Sequence, residues 1–301
     1  MAKNILITGA SGLLGSRLTS LLLQKGYQVS HLSRSAKQGP VKTYEWDIEK
    51  GIIDPQALSN CDAIVHLAGA GIADKRWTAS RKKEILESRT NSTNLLYQSL
   101  KKMDHHVKSF ISASAIGYYG FGGDEVVFDE QGKQGSDFLA MVTGAWENEV
   151  DKVKSLDMHV AKIRIGIVLS AEGGALAEMI KPIKFGVGSP LGTGEQPMSW
   201  IHIDDVCGMF IHVLEQPSVG DLFNAVAGVE SNKEFTKAVA KTIGKPLWLP
   251  NVPSFVLRLV LGEMADLVLK GSRVSSNKIQ ETGYKLKYPS LAEALQQLLI
   301  A

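Results

Sequence analysis

The sequence is poor in most features that would betray a function at once. Its 301 residues include two cysteines, Cys61 and Cys207, each in an apolar stretch. That excludes a disulfide scaffold and thiolate metal spacing, and predicts buried free thiols in a reducing compartment. Charge bias is lacking as well. The 33 basic and 31 acidic side chains leave a formal net charge of +2, too little for a dedicated nucleic-acid surface. No apolar run is long and unbroken enough to span a bilayer, so no membrane partner is expected. No basic leader with a cleavage site precedes the strand pattern that begins at Asn4, and the cytoplasm is the expected compartment. Repeats and low-complexity segments are missing. No zinc pattern, hydrolase triad or paired carboxylates survive placement on the predicted elements, so no metal is expected.

What is present is alternation. NILITGA reads as a strand, followed by the helix SGLLGSRLTSLLLQKG, closed by Gly26. YQVSHLSR, VKTYEWDI, DAIVHLAG and VKSFISAS are further strands, and MHVAKIRIGIVLS a sixth; the long helix KEILESRTNSTNLLYQSLKK and the helix FLAMVTGAWENEVDKVKS intervene. This rhythm predicts an α/β fold, a doubly wound parallel sheet of Rossmann type with a smaller C-terminal substrate lobe. Residues 1–170 form the predicted nucleotide domain. The strand MSWIHI, a helix opened by Asp204 or Asp205 and the strand GDLFNAVAG return to it over about 199–228. The rest of 171–301 is the predicted lobe, and GVGSPLGTGEQP reads as either a lid or an ordinary long connection.

TGASGLLGS sets Gly9, Gly12 and Gly15 in the pattern G-x-x-G-x-x-G between the first strand and helix. Gly9 permits a tight turn, Gly12 lets backbone approach a pyrophosphate, and Gly15 lets the helix pack closely. Gly9, Ser11, Gly12, Leu13, Leu14 and Gly15 are therefore predicted to bind a dinucleotide at the helix N-terminus. The second strand ends in His31, Leu32, Ser33 and Arg34, with no carboxylate for a ribose 2′-hydroxyl. Arg34, with Ser33 or Ser35, suits a 2′-phosphate, which predicts NADP as cofactor. Asp47 and Ile48 would border the adenine, and Leu67, Ala68 and Gly69 the ribose next to nicotinamide.

TGASGLLG, IVHLAG, ISASAIGYYG, SWIHIDDV and GYKLKYPSLAEAL occur in this order over nearly the whole chain. In them the sequence resembles the short-chain dehydrogenase/reductase superfamily, in its extended branch of nucleotide-sugar epimerases and dehydratases. GIADKRW, the SR-containing helix, GGAL, PLGTGEQPMSWIHIDD and a GE-containing C-terminal segment are similar to that branch's atypical "epimerase family protein" subgroup. The resemblance implies a tyrosine four residues before a lysine, which lowers the phenol from its ordinary pKa of about 10, and a glutamate one turn later. With Glu147 as that glutamate, Leu139 stands at the tyrosine and Thr143 at the lysine, and neither can move the proton. Ser114 matches the substrate-binding serine, and Arg89 falls where an asparagine is usual.

The expected catalytic set is thus Ser114 and Arg89, with Tyr118, Tyr119 or water moving the proton; at least one of the two tyrosines also reads as a packed loop residue. Arg76, Trp77, Gln196, Trp200 and His202 are the expected substrate contacts, while Arg81 and Lys82 read as a solvated basic face. The expected function is an NADP-binding oxidoreductase or epimerase-like enzyme acting on a small hydroxyl or carbonyl substrate. The alternative is a non-catalytic NADP(H)-binding redox sensor or regulatory protein. A homodimer is left open.

Overall fold

A computed structural model describes residues 3–35 and 39–300, the side chain of Asp124 excepted. The first half runs β1 (Asn4–Thr8), α1 (Leu13–Gln24), β2 (Gln28–Ser33), β3 (Lys42–Asp47), β4 (Ile52–Ile53), α2 (Pro55–Ser59), β5 (Ala63–His66), α3 (Ala79–Lys102) and β6 (Ser109–Ala115). A 3-10 turn, Ile116–Tyr119, leads to β7 (Gly123–Phe128), α4 (Phe138–Lys152), β8 (His159–Ile165), β9 (Ile167–Leu169) and α5 (Gly174–Lys184). Then come β10 (Pro197–His202), α6 (Ile203–Glu215), β11 (Leu222–Ala225), β12 (Gly228–Ser231), α7 (Asn232–Thr242) and α8 (Ser254–Leu261). The chain closes with α9 (Asp266–Leu269), β13 (Ser272–Val274), α10 (Asn277–Glu281) and α11 (Leu291–Leu299).

The main sheet has the order β11-β8-β6-β5-β1-β2-β3-β4, and every pair except β3–β4 is parallel. Helices α1 and α3 carry the chain back across the sheet and let β1–β2 and β5–β6 pair in parallel, whereas β2 and β3 pair in parallel with no helix between them among the described residues. Strand order reverses at β1, so a crevice opens beyond its carboxyl end, where such sheets take their ligands. Apolar residues of β1, β5, β6 and β8 pack with α1, α3, α4 and α6 in one core, which includes Ile7, Leu22, Leu96, Phe110, Trp146 and Phe210. Both cysteines are buried and free, and burial raises both thiols, Cys61 to about 12. No helix among the described residues is long and apolar enough to cross a membrane.

MHVAKIRIGIVLS is not one strand. It breaks at Gly166 into β8, in the main sheet, and β9, in a smaller sheet ordered β12-β10-β9. The switch needs a residue without a side chain, since a Cβ on Gly166 would stand 2.6 Å from the Ser199 carbonyl oxygen. Leu169, Trp200, Phe235 and Leu295 form a second core between this sheet, α7 and α11. Thus α6 and β11 lie on the main sheet and β10 in the smaller one. A parallel pair, β7–β13, joins the segment after the 3-10 turn to the C-terminal part.

Candidate active site

The glycine loop is built from three different constraints. Gly9 has φ +67°, and a Cβ there would meet the Leu67 carbonyl and Ala68 nitrogen at 2.8–2.9 Å. Gly15 abuts the loop itself: its Cβ would stand 2.4 Å from the Gly9 oxygen. Gly12 differs, with φ −77° and ψ 167°, and among the described residues beyond its chain neighbours a Cβ there would meet just the Gly9 oxygen, at 3.3 Å. Its free side is open, and it caps α1 without any side-chain hydrogen bond to the first-turn N–H groups. An open, uncapped helix N-terminus of this kind suits a pyrophosphate.

Thr8, at the end of β1, fixes the loop after β5. Its Oγ1 accepts hydrogen bonds from Leu67 and Ala68 N–H, both at 3.1 Å. Its own hydrogen therefore goes to His66 Nδ1, 2.7 Å away. The ring hydrogen must then sit on Nε2 and point to Thr93 Oγ1 at 3.0 Å, and Thr93 in turn donates to the Arg89 carbonyl at 2.7 Å. His66 is thus a neutral ring whose pKa is pushed down to about 3, by burial first and the Arg89 charge second. Its unfolded counterpart titrates near 6.5, so the unfolded chain binds more protons between those values and stability must fall as pH drops through that window. A loss of roughly 1.5 kcal/mol between pH 6.5 and 5 is expected from this ring alone. Thermal melts at the two pH values check it, and an unchanged melting temperature would contradict a buried neutral ring.

Arg34 is exposed beyond the tip of β2, and no carboxylate lies within ion-pair distance of it among the described residues. Ser33 ends the strand and Ser35 is exposed beside it. The Glu84 carboxyl is held below its ordinary range by the Arg81 hydrogen bond and then by the charges of Lys75 and Arg34. Lys75, not singled out in the sequence, acts with Arg34 on that carboxylate. Asp47 closes a turn, accepting from Lys50 N–H at 3.0 Å and pairing with its ammonium. Ile48, Leu67 and Ala68 pack on the main core.

The structure gives Ser114 a different role from a free substrate contact. It is 3% exposed, and its Oγ donates to Glu147 Oε1 at 2.6 Å. Glu147 is gripped from the other side by Arg164, Nε to Oε1 at 2.7 Å and Nη2 to Oε2 at 2.8 Å. Arg164 Nη1 also donates to the Tyr119 hydroxyl at 2.9 Å, which donates to Asn224 Oδ1 at 2.8 Å. Burial raises the Tyr119 phenol despite the neighbouring guanidinium. Tyr119 is therefore a packed tyrosine with its proton committed, and it is corrected from the proton-donor set. Thr143, at the expected lysine position, spends its hydroxyl on the Leu139 carbonyl. Tyr118 lies with its ring 3.5 Å from the Arg164 guanidinium carbon. It lines a cavity of about 460 Å³ together with Glu130, Glu147, Asp151, Lys162 and Arg164. Lys162 and Leu222 sit along β8 and at the start of β11, so this cavity opens on the flank of the sheet rather than over the glycine loop. Ser114, Tyr119 and Arg89 do not line it.

Arg89 stands apart from that network. Its Nη1 donates to the carbonyls of Ala70 and Ile85 at 3.0 and 2.9 Å, and its guanidinium carbon lies 5.3 Å from the Trp146 ring centroid. A Cβ on Gly69 would be 3.1 Å from that carbon. No carboxylate pairs with Arg89 among the described residues, and burial, then Arg81, lowers its pKa to about 10. A desolvated cation therefore borders the Leu67–Gly69 loop.

The expected substrate contacts separate. Trp77 donates its ring N–H to the Ile72 carbonyl and meets Phe138 edge-on at 5.1 Å. Arg76 is exposed and lies against Gly262. Arg81 is buried rather than solvated, held by Gly71, Asp74 and Glu84, and Lys82 reaches Glu263. Three further expectations are corrected. Trp200 is fully buried and bound to Glu230. His202 caps α6 by accepting from Asp204 N–H, donates to Gln297 and lies tilted against the Tyr288 ring. Gln196 uses its amide to tie Leu191 to Val268. That tie, with the Gly192 bond to Val252, makes GVGSPLGTGEQP a pinned connection.

The sequence pattern of the NAD dependent epimerase/dehydratase family matches residues 5–226, and that of a domain of unknown function matches residues 252–298. The chain is 36% identical over 299 residues to the epimerase family protein YfhF of Bacillus subtilis, covering 98% of each. It is 31% identical to the mouse epimerase family protein SDR39U1, covering 98% of this chain and 99% of that one. The crystal structure of human epimerase family protein SDR39U1 (isoform 2) with NADPH superposes with a TM-score of 0.88 at 31% identity, over 98% of each chain. A nucleoside-diphosphate sugar epimerase from Corynebacterium glutamicum gives 0.81 at 28% identity, over 99% of this chain and 58% of that one.

Proposed function

The chain belongs to the NAD dependent epimerase/dehydratase family, and we propose that it is an NADP(H)-binding, epimerase-like oxidoreductase acting on a small hydroxyl or carbonyl substrate. The observation that carries this reading is the cradle at Gly12, open on one side and facing an uncapped helix N-terminus. Gly9, Ser11, Gly12, Leu13, Leu14 and Gly15 would hold the pyrophosphate, and Leu67, Ala68 and Gly69 the ribose beside the nicotinamide. Asp47 and Ile48 would border the adenine. Arg34, with Ser33, Ser35 and Lys75, would meet a 2′-phosphate, and the human relative's complex with NADPH supports that choice. A bound nicotinamide supplies the hydride chemistry. Arg89 holds a fixed positive charge beside Gly69, where an alkoxide can be stabilised. It keeps its own proton across the accessible pH range, Ser114 and Tyr119 are already committed, and Tyr118 lines the cavity on the flank of the sheet, so the proton moves through water.

A second reading, an NADP(H)-binding regulatory protein without turnover, is favoured by one observation: Ser114, Thr143 and Tyr119 all spend their hydroxyl hydrogens inside the protein. Screening the protein for NADPH oxidation against small carbonyl compounds, and for NADP⁺ reduction against alcohols, separates the two. Turnover that is lost in Arg89→Met supports the enzyme, and no turnover with intact NADPH binding supports the regulator. Arg34→Ala is expected to weaken NADPH by about 1.5–3 kcal/mol, the value of a charge-assisted bond, and to leave NADH nearly unchanged. Equal weakening of both in calorimetric titrations would remove the 2′-phosphate assignment.

A further inference from the structure

Helix α8, SFVLRLVL, has no buried residue at all, although six of its eight side chains are apolar. Phe255, Leu259 and Val260 are 72%, 78% and 61% exposed. An apolar helix face left to water normally has something to cover it. The face also has a direction. Phe255, Leu259 and Gly262 follow at spacings of four and three residues, so they form one stripe along the helix. The stripe ends on a cation: a Cβ on Gly262 would stand 3.1 Å from Arg76 Nη2. Arg76 is exposed, and no carboxylate pairs with it among the described residues. Arg76 belongs to the loop that follows β5, at the carboxyl edge of the main sheet. The neighbouring Lys82–Glu263 pair holds the end of α8 against the start of α3.

We propose that α8 and Arg76 form the binding surface for an amphiphilic carboxylate, its alkyl body on Phe255 and Leu259 and its acid group on Arg76. This rests on the NADP(H)-dependent reading above and gives its substrate a chemical class. Charge and length select the occupant. An eight-residue helix is about 12 Å long, close to the span of an extended chain of roughly ten carbons. A second copy of the protein would need about 800 Å² on each partner, more than one short stripe offers. The guanidinium offers a forked pair of donors to a carboxylate, and the exposed Phe255, Leu259 and Val260 offer no polar group to a sugar hydroxyl.

The test is calorimetric titration of sodium decanoate, decanol and acetate into the unmodified protein, below the concentration at which decanoate forms micelles, with NADPH titrated separately. Decanoate is expected to bind at least tenfold more tightly than either decanol or acetate. Leu259→Ser should weaken decanoate by about tenfold, and Arg76→Gln should bring decanoate down to the level of decanol. Both sites are exposed, and circular dichroism melts confirm that the variants fold. Decanoate that fails to bind, or binds equally to both variants, overturns the proposal. So does concentration-dependent dimerisation that Leu259→Ser abolishes, or retention of the protein on phosphatidylcholine vesicles without decanoate binding. NADPH binding without decanoate binding removes this proposal alone. Decanoate binding without NADPH binding removes the cofactor reading instead.

Discussion

Gly12→Val is expected to abolish NADPH binding while leaving the protein folded. The three loop glycines are not equivalent in this respect. Valine at Gly9 would be forced into a positive φ, and at Gly15 it would collide with the Gly9 carbonyl, so either change would damage the loop itself. Gly12 has ordinary extended backbone, at φ −77° and ψ 167°, which valine adopts readily. Among the described residues, and apart from the chain neighbours of Gly12, the one atom within 4 Å of a Cβ there is the Gly9 oxygen at 3.3 Å. The remaining bulk of the side chain would occupy the open side, over the first-turn N–H groups of α1. Losing the pyrophosphate from those groups should weaken NADPH by more than about 100-fold, or roughly 2.7 kcal/mol, with a melting temperature within a few degrees of the parent. Unchanged affinity in the folded variant would remove the loop from the cofactor site.

The second large effect is on stability. Glu147→Ala is expected to cost about 3–5 kcal/mol, because it leaves a buried guanidinium without its counter-charge. Arg164 is 2% exposed and loses both of its bonds to Glu147. Lys162, with its nitrogen 3.7 Å from Glu147 Oε2, loses part of its compensation too, and Ser114 loses its acceptor. Ser114→Ala, which keeps the ion pair, should cost only about 1–3 kcal/mol. For a chain of 301 residues the glutamate change corresponds to a fall of roughly 5–8 °C in melting temperature. The opposite pattern would contradict this account: a Glu147→Ala protein as stable as its parent but without turnover would make Glu147 a catalytic group.

The parallel sheet and glycine loop were legible in the sequence because both are local signals. Strand–helix alternation and G-x-x-G-x-x-G each lie within one short window, and the reversal of strand order at β1 follows from the connections. What stayed hidden depends on residues far apart. The proton accounting of His66 joins positions 58 apart, and the Tyr119–Asn224 bond spans 105. A hydroxyl quoted in isolation, as in ISASAIGYYG, says nothing of the carboxylate that takes its hydrogen. Trp200 and His202 misled for a different reason. Alternation identifies a pocket-facing side only when one face of a strand is exposed, and every residue of β10 is buried. The break at Gly166 was likewise invisible, since the apolar run continues across it and only the approach of the Ser199 carbonyl demands the glycine.

The most direct measurement is calorimetric titration of NADPH and NADH into the unmodified protein under the same conditions. If Arg34 and the Gly12 cradle do what their positions imply, NADPH binds at 1:1 stoichiometry and NADH binds at least about tenfold more weakly, a gap of roughly 1.4 kcal/mol. Equal affinities, or no heat from either nucleotide, would contradict the account.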